Sequence, residues 1–187
     1  MFYKIRRMAL WLRRCPYSRG FGVQSPSAYR FIRYVVNEHY PYYAYDDLRR
    51  AIPGIAPSWR RQCRLYFRIA NYAQAEEWWE MAPEDEAVRA YVEAGCRKTR
   101  VTPHAARPGV IRMAMDSGAK ETFARCLAKA PPEALLIVEG IHRSKSALRL
   151  WRRMADHPRT SVSFDLYTCG ILFFDKKRIK QHYIVNF

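Results

Sequence analysis

The sequence predicts a doubly wound α/β fold: a mostly parallel sheet, helices packed against it, and an antiparallel hairpin at its C-terminal edge. Three observations carry this expectation. The run ALLIV at 134–138 is continuously apolar, as a parallel strand buried on both faces requires, and a helical pattern over 144–155 follows it. SVSFDLYT and ILFFDKK lie on either side of Cys169 and Gly170, which reads as a β-hairpin with a tight turn. From residue 77 onward strand and helix patterns alternate, the order that winds helices over a parallel sheet.

In chain order, residues 1–14 place Phe2, Ile5, Ala9 and Leu12 on one helical face. Arg19, Gly20, Phe21 and Gly22 interrupt that pattern, and Ser25 with Pro26 supplies an N-cap and a proline at the first helical position. The helix that starts there sets Phe31, Tyr34, Val35 and Glu38 on one side and stops before Pro41. A turn at Ile52, Pro53 and Gly54 leads into a helix over 59–73. Cys63, Tyr66, Phe67 and Ala70 recur along it at helical spacing, and Arg60, Arg61, Arg64 and Arg68 take the remaining positions. Strands are expected at 77–81, 99–102 and 110–115, and helices over 83–94 and 120–129. Pro83 begins the first of these helices, and Glu84, Asp85 and Glu86 in its first turn complement the helix dipole. IKQHYIVNF supplies a last strand. Residues 1–74 thus read as a helical extension and 75–187 as an α/β core. Together they form one structural unit, since 187 residues with 49% hydrophobic side chains make one sizeable core.

The formal net charge is +16, and it sits at the two ends of the chain. Residues 1–70 hold 14 Lys/Arg against 3 Asp/Glu, residues 71–140 hold 9 against 11, and residues 141–187 hold 10 against 3. Such a surface attracts polyanions, so nucleic acid, an anionic membrane face and an acidic protein are the partner classes it favours. Arg60, Arg61, Arg64, Arg68, Arg13 and Arg14 are the expected polyanion contacts, because the planar guanidinium fork suits phosphate; Arg6, Arg7 and Arg19 add to the basic N-terminal stretch. The 1–14 helix either lies on an anionic membrane surface or packs its apolar stripe on the domain. Its apolar run is closed by Arg13 and Arg14, too short for a signal peptide, and no stretch is long enough to span a bilayer.

Five cysteines (Cys15, Cys63, Cys96, Cys126 and Cys169) form no CxxC pair and read as free thiols of a reducing compartment, so a cytoplasmic protein is expected. The histidines show no HExxH or HxxxH spacing, and no metal site is expected.

Two stretches carry a resemblance. RGFGVQSPSAYRFIRYVVNEHYPYYAYDDL, from Arg19, is similar to the N-terminal signature of a bacterial branch of class I S-adenosylmethionine-dependent methyltransferases, whose members carry GFGVHSPF, a helix and a YYAY segment. The chain from Ile137 onward, IVEGIHRSKSALRLWRRMADHPRTSVSFDLYTCGILFFDKKRIKQHYIVNF, resembles that family's C-terminal end, where DDIHWS follows the fifth strand and a D-L-F…G-I-V-F-F hairpin closes the fold. Together the matches cover less than half of the chain. They imply a Rossmann-like methyltransferase fold with an N-terminal helical extension.

The departures are as informative. The family fold ends its first strand in a glycine-rich turn that lets the backbone approach the cofactor, whereas this chain reads EEWWEMAPEDEAV there and has no glycine between Gly54 and Gly95. The acids at 84–86 would also repel the cofactor's carboxylate. Only 33 residues separate Glu77 from Val110, where the full fold needs two more strands and three helices. One β-α-β unit alone takes about 30, so at least one β-α unit is missing. Glu139 and Gly140 stand where the family has two aspartates, Ile141, His142 and Ser144 remain, and Arg143 replaces the tryptophan.

His142 is a candidate catalytic residue because α/β sites lie at the carboxyl ends of strands; the resemblance adds Asp116, where the family has an acidic residue after the fourth strand, and Glu139 and Ser144 of the DDIHWS-like segment. His142 competes with a plain hydrogen-bonding role at a helix start, and Asp165 is assigned to the hairpin. Tyr40, Tyr42, Tyr43 and Tyr45, beside Arg49 and Arg50, either stack bases or pack the extension onto the core. Three functions remain open. The first is a degenerate methyltransferase-like protein without catalysis or cofactor, binding a polyanion or a protein partner. The second is an active methyltransferase, using S-adenosylmethionine on nucleic acid or a small acceptor. The third is a basic adaptor subunit of an intact relative. The missing glycines and the shortening favour the first.

Overall fold

The structure, a computed structural model, describes residues 23–187. The expected 1–14 helix with its membrane-surface role, Arg13, Arg14 and the other arginines up to Arg19, and Cys15 lie outside the described residues.

Helix α1 (Pro26–Phe31) starts as its sequence requires, with the Ser25 hydroxyl accepting from the Ala28 amide at 3.4 Å and Pro26 in the first turn. It runs on as one π-helical turn, Ile32–Val36, closed by the Asn37 amide donating to the Ile32 carbonyl at 2.8 Å. The wider turn rotates the buried stripe. Phe31, Ile32, Val35 and Val36 face the core, and Tyr34, expected among them, is 61% exposed. Helices α2 (Ala44–Ala51) and α3 (Pro57–Ala73) follow, and Cys63, Tyr66, Phe67 and Ala70 of α3 are all buried.

The remaining elements are β1 (Glu77–Glu80), α4 (Glu86–Gly95), β2 (Arg100–Thr102), β3 (Val110–Ala114), α5 (Ala119–Lys129), β4 (Leu135–Glu139), α6 (Lys145–Asp156), β5 (Val162–Asp165), β6 (Cys169–Phe173) and β7 (Gln181–Ile184). The sheet order is β2-β1-β3-β4-β6-β5-β7. The first four strands are parallel, β6 runs antiparallel to β4 and β5, and β7 pairs parallel with β5. This is a mostly parallel, Rossmann-like sheet. Between β1 and β3 it holds one helix and one strand.

Period-two alternation sorts the strand residues onto two faces. Trp78, Val110, Leu135 and Ile137 join a core with Phe31, Tyr66 and Tyr91 beneath α1, α3 and α4, while Trp79, Ile111, Met113, Leu136 and Val138 pack with Phe123 and Trp151 of α5 and α6. One buried cluster therefore runs from the N-terminal helices into the sheet across residue 74.

Two local expectations need correction. Asp85 is the N-cap of α4, accepting from the Val88 amide at 3.1 Å, so Pro83 and Glu84 precede the helix and only Glu86 sits in its first turn. Cys169 and Gly170 are not the hairpin turn but the start of β6. The reversal is at Leu166, Tyr167 and Thr168, with Tyr167 at φ 72° and its amide donating to Asp165 Oδ1 at 2.9 Å. Gly170 is required because a Cβ there would lie 2.3 Å from the Trp151 indole.

The four described cysteines are buried free thiols. Burial pushes Cys63, Cys126 and Cys169 up to about 12, which keeps them protonated and unreactive. No described helix is long and apolar enough to cross a membrane, and no group of three potential metal ligands occurs among the described residues.

Candidate functional site

The carboxyl ends of β1, β3 and β4 are where an α/β sheet places its ligand. Alternation sets Glu80, Arg112 and Glu139 on the same face there, beneath α3. Arg112 Nε donates to Glu139 Oε1 at 2.9 Å, and Arg112 Nη1 approaches Glu80 Oε1 to 2.8 Å as an ion pair without hydrogen-bond alignment. Tyr66 of α3 donates its hydroxyl to the same Glu139 oxygen, and Gln62 donates to Tyr66 at 3.0 Å. The Arg112 guanidinium lies 5.5 Å from the Tyr66 ring centre and 5.8 Å from that of Trp59.

Two carboxylates thus share one buried arginine. Burial pushes Glu80 up to about 7, against the pull of Arg112 and with some help from Glu139. Burial also acts against the Arg112 charge, but Glu139, Tyr66 and Glu80 outweigh it and raise the arginine above its ordinary value. The Tyr66 phenol is held well above its own, by burial first and Glu139 second.

S-adenosylmethionine would need free backbone donors after β1 and, in the fold it belongs to, an acid at the end of β2. Here the Ala82 amide donates to Glu80 Oε1 at 3.1 Å, Pro83 has no N–H, and Asp85 accepts from both the Val88 amide and the Trp59 indole, the latter at 3.0 Å. β2 ends at Thr102, whose hydroxyl accepts from the His104 amide at 3.1 Å. The Ala82 amide, Asp85 and Thr102 are thus engaged within the chain.

The sequence candidates separate into different roles. Glu139 belongs to the Arg112 cluster. His142 Nε2 lies 2.7 Å from Asp165 Oδ2, and its ring stacks on Tyr167 at 4.9 Å between centres. Asp165 therefore serves the hairpin with one oxygen and His142 with the other. Ser144 is the N-cap of α6, accepting from the Ala147 amide at 3.0 Å, and exposed Asp116 accepts from the Gly118 amide at 3.0 Å where α5 begins. Gly140, at φ 73°, turns the chain so that its amide reaches the Thr168 carbonyl at 2.8 Å. Sequence reasoning missed Glu80, Arg112 and Tyr66. The available signal was a charged residue inside each of two apolar strand runs, VIRMA and EWWE.

The outer face of α3, helix α2, the 37–42 connection and Phe187 enclose a cleft of about 970 Å³. Among the described residues, Arg49, Arg60, Arg61, Arg64 and Arg68 line it, against two carboxylates, Glu38 and Asp46. Four of these are the arginines named from sequence, and their roles differ. Arg68 is buried. It donates to the Val35 carbonyl at 2.6 Å, the Val36 carbonyl at 3.1 Å and the Tyr45 hydroxyl at 3.4 Å, so it closes the π-helical turn and is not the surface polyanion contact expected of it.

Arg60 is half-buried and its Nη2 reaches the Ile52, Pro53 and Ile55 carbonyls at 3.2–3.5 Å. Arg64 lies 4.7 Å over the Tyr45 ring, and exposed Arg61 lies 4.7 Å over that of Phe187. Arg60 Nη1 and Arg64 Nε are buried without a hydrogen-bond partner among the described residues. Of the tyrosines, Tyr45 is buried, Tyr42 half-buried and Tyr40 59% exposed in the cleft, while Tyr43 points to solvent outside it. The packing reading thus fits Tyr45, whereas Tyr40 faces the cleft.

No protein-family model and no curated protein matches the chain. Among solved structures it is similar to the O-methyltransferase TomG from Streptomyces achromogenes, involved in tomaymycin synthesis and solved in complex with SAM. That match has 14% identity, covers 71% of this chain and 89% of that one, and has a TM-score of 0.47. It is also similar to cofactor-bound Rv0187 from MTB, at 15% identity over 71% of this chain and 86% of that one, with a TM-score of 0.44.

Proposed function

We propose that this chain is a degenerate methyltransferase-like protein without catalysis, which binds phosphate-bearing polyanions through the arginine cleft of its N-terminal helices. The observation that carries this reading is the Glu80–Arg112–Glu139 cluster. Buried and half-buried side chains paired with one another occupy the carboxyl ends of β1, β3 and β4, and the donors a cofactor would use are already bonded within the chain. The surplus of arginines over carboxylates supports the cleft as the working surface.

Calorimetric titration with S-adenosylmethionine and S-adenosylhomocysteine tests the first half. No binding at or below roughly micromolar concentration is expected, and a dissociation constant there, about −8 kcal/mol, overturns it. Gel mobility of single-stranded RNA or DNA tests the second half. With Arg68 committed to the fold, Arg60, Arg61 and Arg64 leave about three phosphate contacts, so log affinity should fall against log salt with a slope of about −2. Changing these three to glutamine should flatten it.

The second reading, an active methyltransferase on nucleic acid or a small acceptor, draws on the His142–Asp165 pair, which has the geometry of an oriented base. Methyl transfer from S-adenosylmethionine that His142→Asn abolishes would establish it in place of the first.

A further inference from the structure

We infer that the ligand of the arginine cleft is a nucleotide, free or at the phosphorylated end of a strand, with its phosphates on Arg60, Arg61 and Arg64 and its base on Tyr40. The inference rests on the anion-binding reading above and narrows it.

Shape is the first ground. A concavity of about 970 Å³ matches the sites that enclose single small molecules, roughly 300–1,000 Å³. A duplex offers a convex backbone and suits a stripe of protruding cations, whereas Arg60 and Arg64 are recessed. Charge is the second. Arg60 and Arg64, one helical turn apart on α3, both line the cleft, and phosphate oxygens match the guanidinium fork.

Pre-organisation is the third ground. The Arg60 side chain is anchored on the 52–55 turn, and Arg64 and Arg61 rest on aromatic rings, so little side-chain freedom is lost when an anion arrives. The fourth is the aromatic. Tyr40 is the exposed aromatic of the lining, set edge-on to Tyr42 with ring centres 5.2 Å apart, and a base stacks on such a ring whatever its identity. An anion alone would have no use for it. A nucleoside alone would leave the arginines unmatched.

The test titrates the chain at about 0.1 M salt with ADP, inorganic pyrophosphate, adenosine, a 5′-phosphorylated single strand and a duplex. ADP should bind with a dissociation constant of roughly 10–100 μM, and pyrophosphate and adenosine each at least about tenfold more weakly. Tyr40→Ala should erase the advantage of ADP over pyrophosphate and leave pyrophosphate unchanged. Arg60→Gln with Arg64→Gln should weaken both by about tenfold or more. Arg61→Gln, at an exposed position outside the 52–55 turn, should lower the affinity of both ligands and keeps the test open if the double variant melts early.

Displacement of ADP by the phosphorylated strand, at concentrations below those of ADP itself, assigns the strand end as the source, and weaker displacement assigns the free nucleotide. Duplex binding that ADP does not displace, or equal affinity for ADP and pyrophosphate with Tyr40→Ala silent, overturns the nucleotide inference and leaves the polyanion reading standing. No binding of any of these anions overturns that reading as well.

Discussion

Helix α3 separates two arginine neighbourhoods that solve the same charge problem in opposite ways. On its inner face Trp59, Gln62 and Tyr66 close over Arg112, whose charge is met by Glu80 and Glu139 of the neighbouring strands. On its outer face Arg60, Arg61 and Arg64 line a cleft with few carboxylates among the described residues. Where the chain supplies the acceptors, an arginine is structural and its removal strands buried charge. Where it supplies them only in part, as for Arg60 on the 52–55 turn, the arginine also lines the cleft, and its removal costs the fold less. Arg68, at the cleft's floor, belongs by its bonds to the first kind.

The sharpest break of this comparison is Arg112→Met. It leaves buried Glu80 and half-buried Glu139 without their shared cation, and urea denaturation should show a loss of about 3–5 kcal/mol. A loss below about 1 kcal/mol would mean that the cluster is solvated and the carboxyl edge open.

The next effect lies in pH. The folded state holds the Glu80 proton up to about pH 7, whereas the unfolded chain releases it near its ordinary value of 4.5. Between those values the folded state binds more protons, so the Glu80 contribution to stability falls as pH rises, by on the order of 2–3 kcal/mol across the window. Stability curves at several pH values should show this decline in the wild type and a flatter profile in Glu80→Gln.

Arg68→Met should follow at about 2 kcal/mol, because it strands the Val35 and Val36 carbonyls at the end of the π-helical turn. The smallest stability change, within about 1 kcal/mol, is expected for Arg60→Gln with Arg64→Gln. The same pair should nevertheless produce the larger fall in anion binding, which a binding titration beside the melting curve will separate.

The strands and helices of the core were legible in sequence, because each depends on a local period. ALLIV is apolar at every position and emerges as β4, buried on both faces. Ser25 and Pro26 start α1, and Ser144 caps α6. The hairpin was legible as two strands but not at its turn, since the need for glycine at 170 comes from Trp151, on a different element. The arginine list was legible as charge but not as role. Nothing in the spacing of Arg60, Arg61, Arg64 and Arg68 says that only the last meets backbone carbonyls more than 30 residues away.

The sequence by itself determined the alternating strand and helix pattern, the short stretch between β1 and β3, the lack of any glycine between Gly54 and Gly95 and the basic character of the N-terminal helices. These are properties of neighbours along the chain. Tertiary structure alone decided which charges meet. Glu80 pairs in register with Arg112, and Glu139 ends the next strand, so the three converge under Tyr66. A slip of one residue in β3 would turn Arg112 to the opposite face, among Trp79, Ile111 and Met113, and leave both carboxylates without it. The cleft likewise exists only because the π-helical turn, α2 and the chain end at Phe187 come together around the outer face of α3.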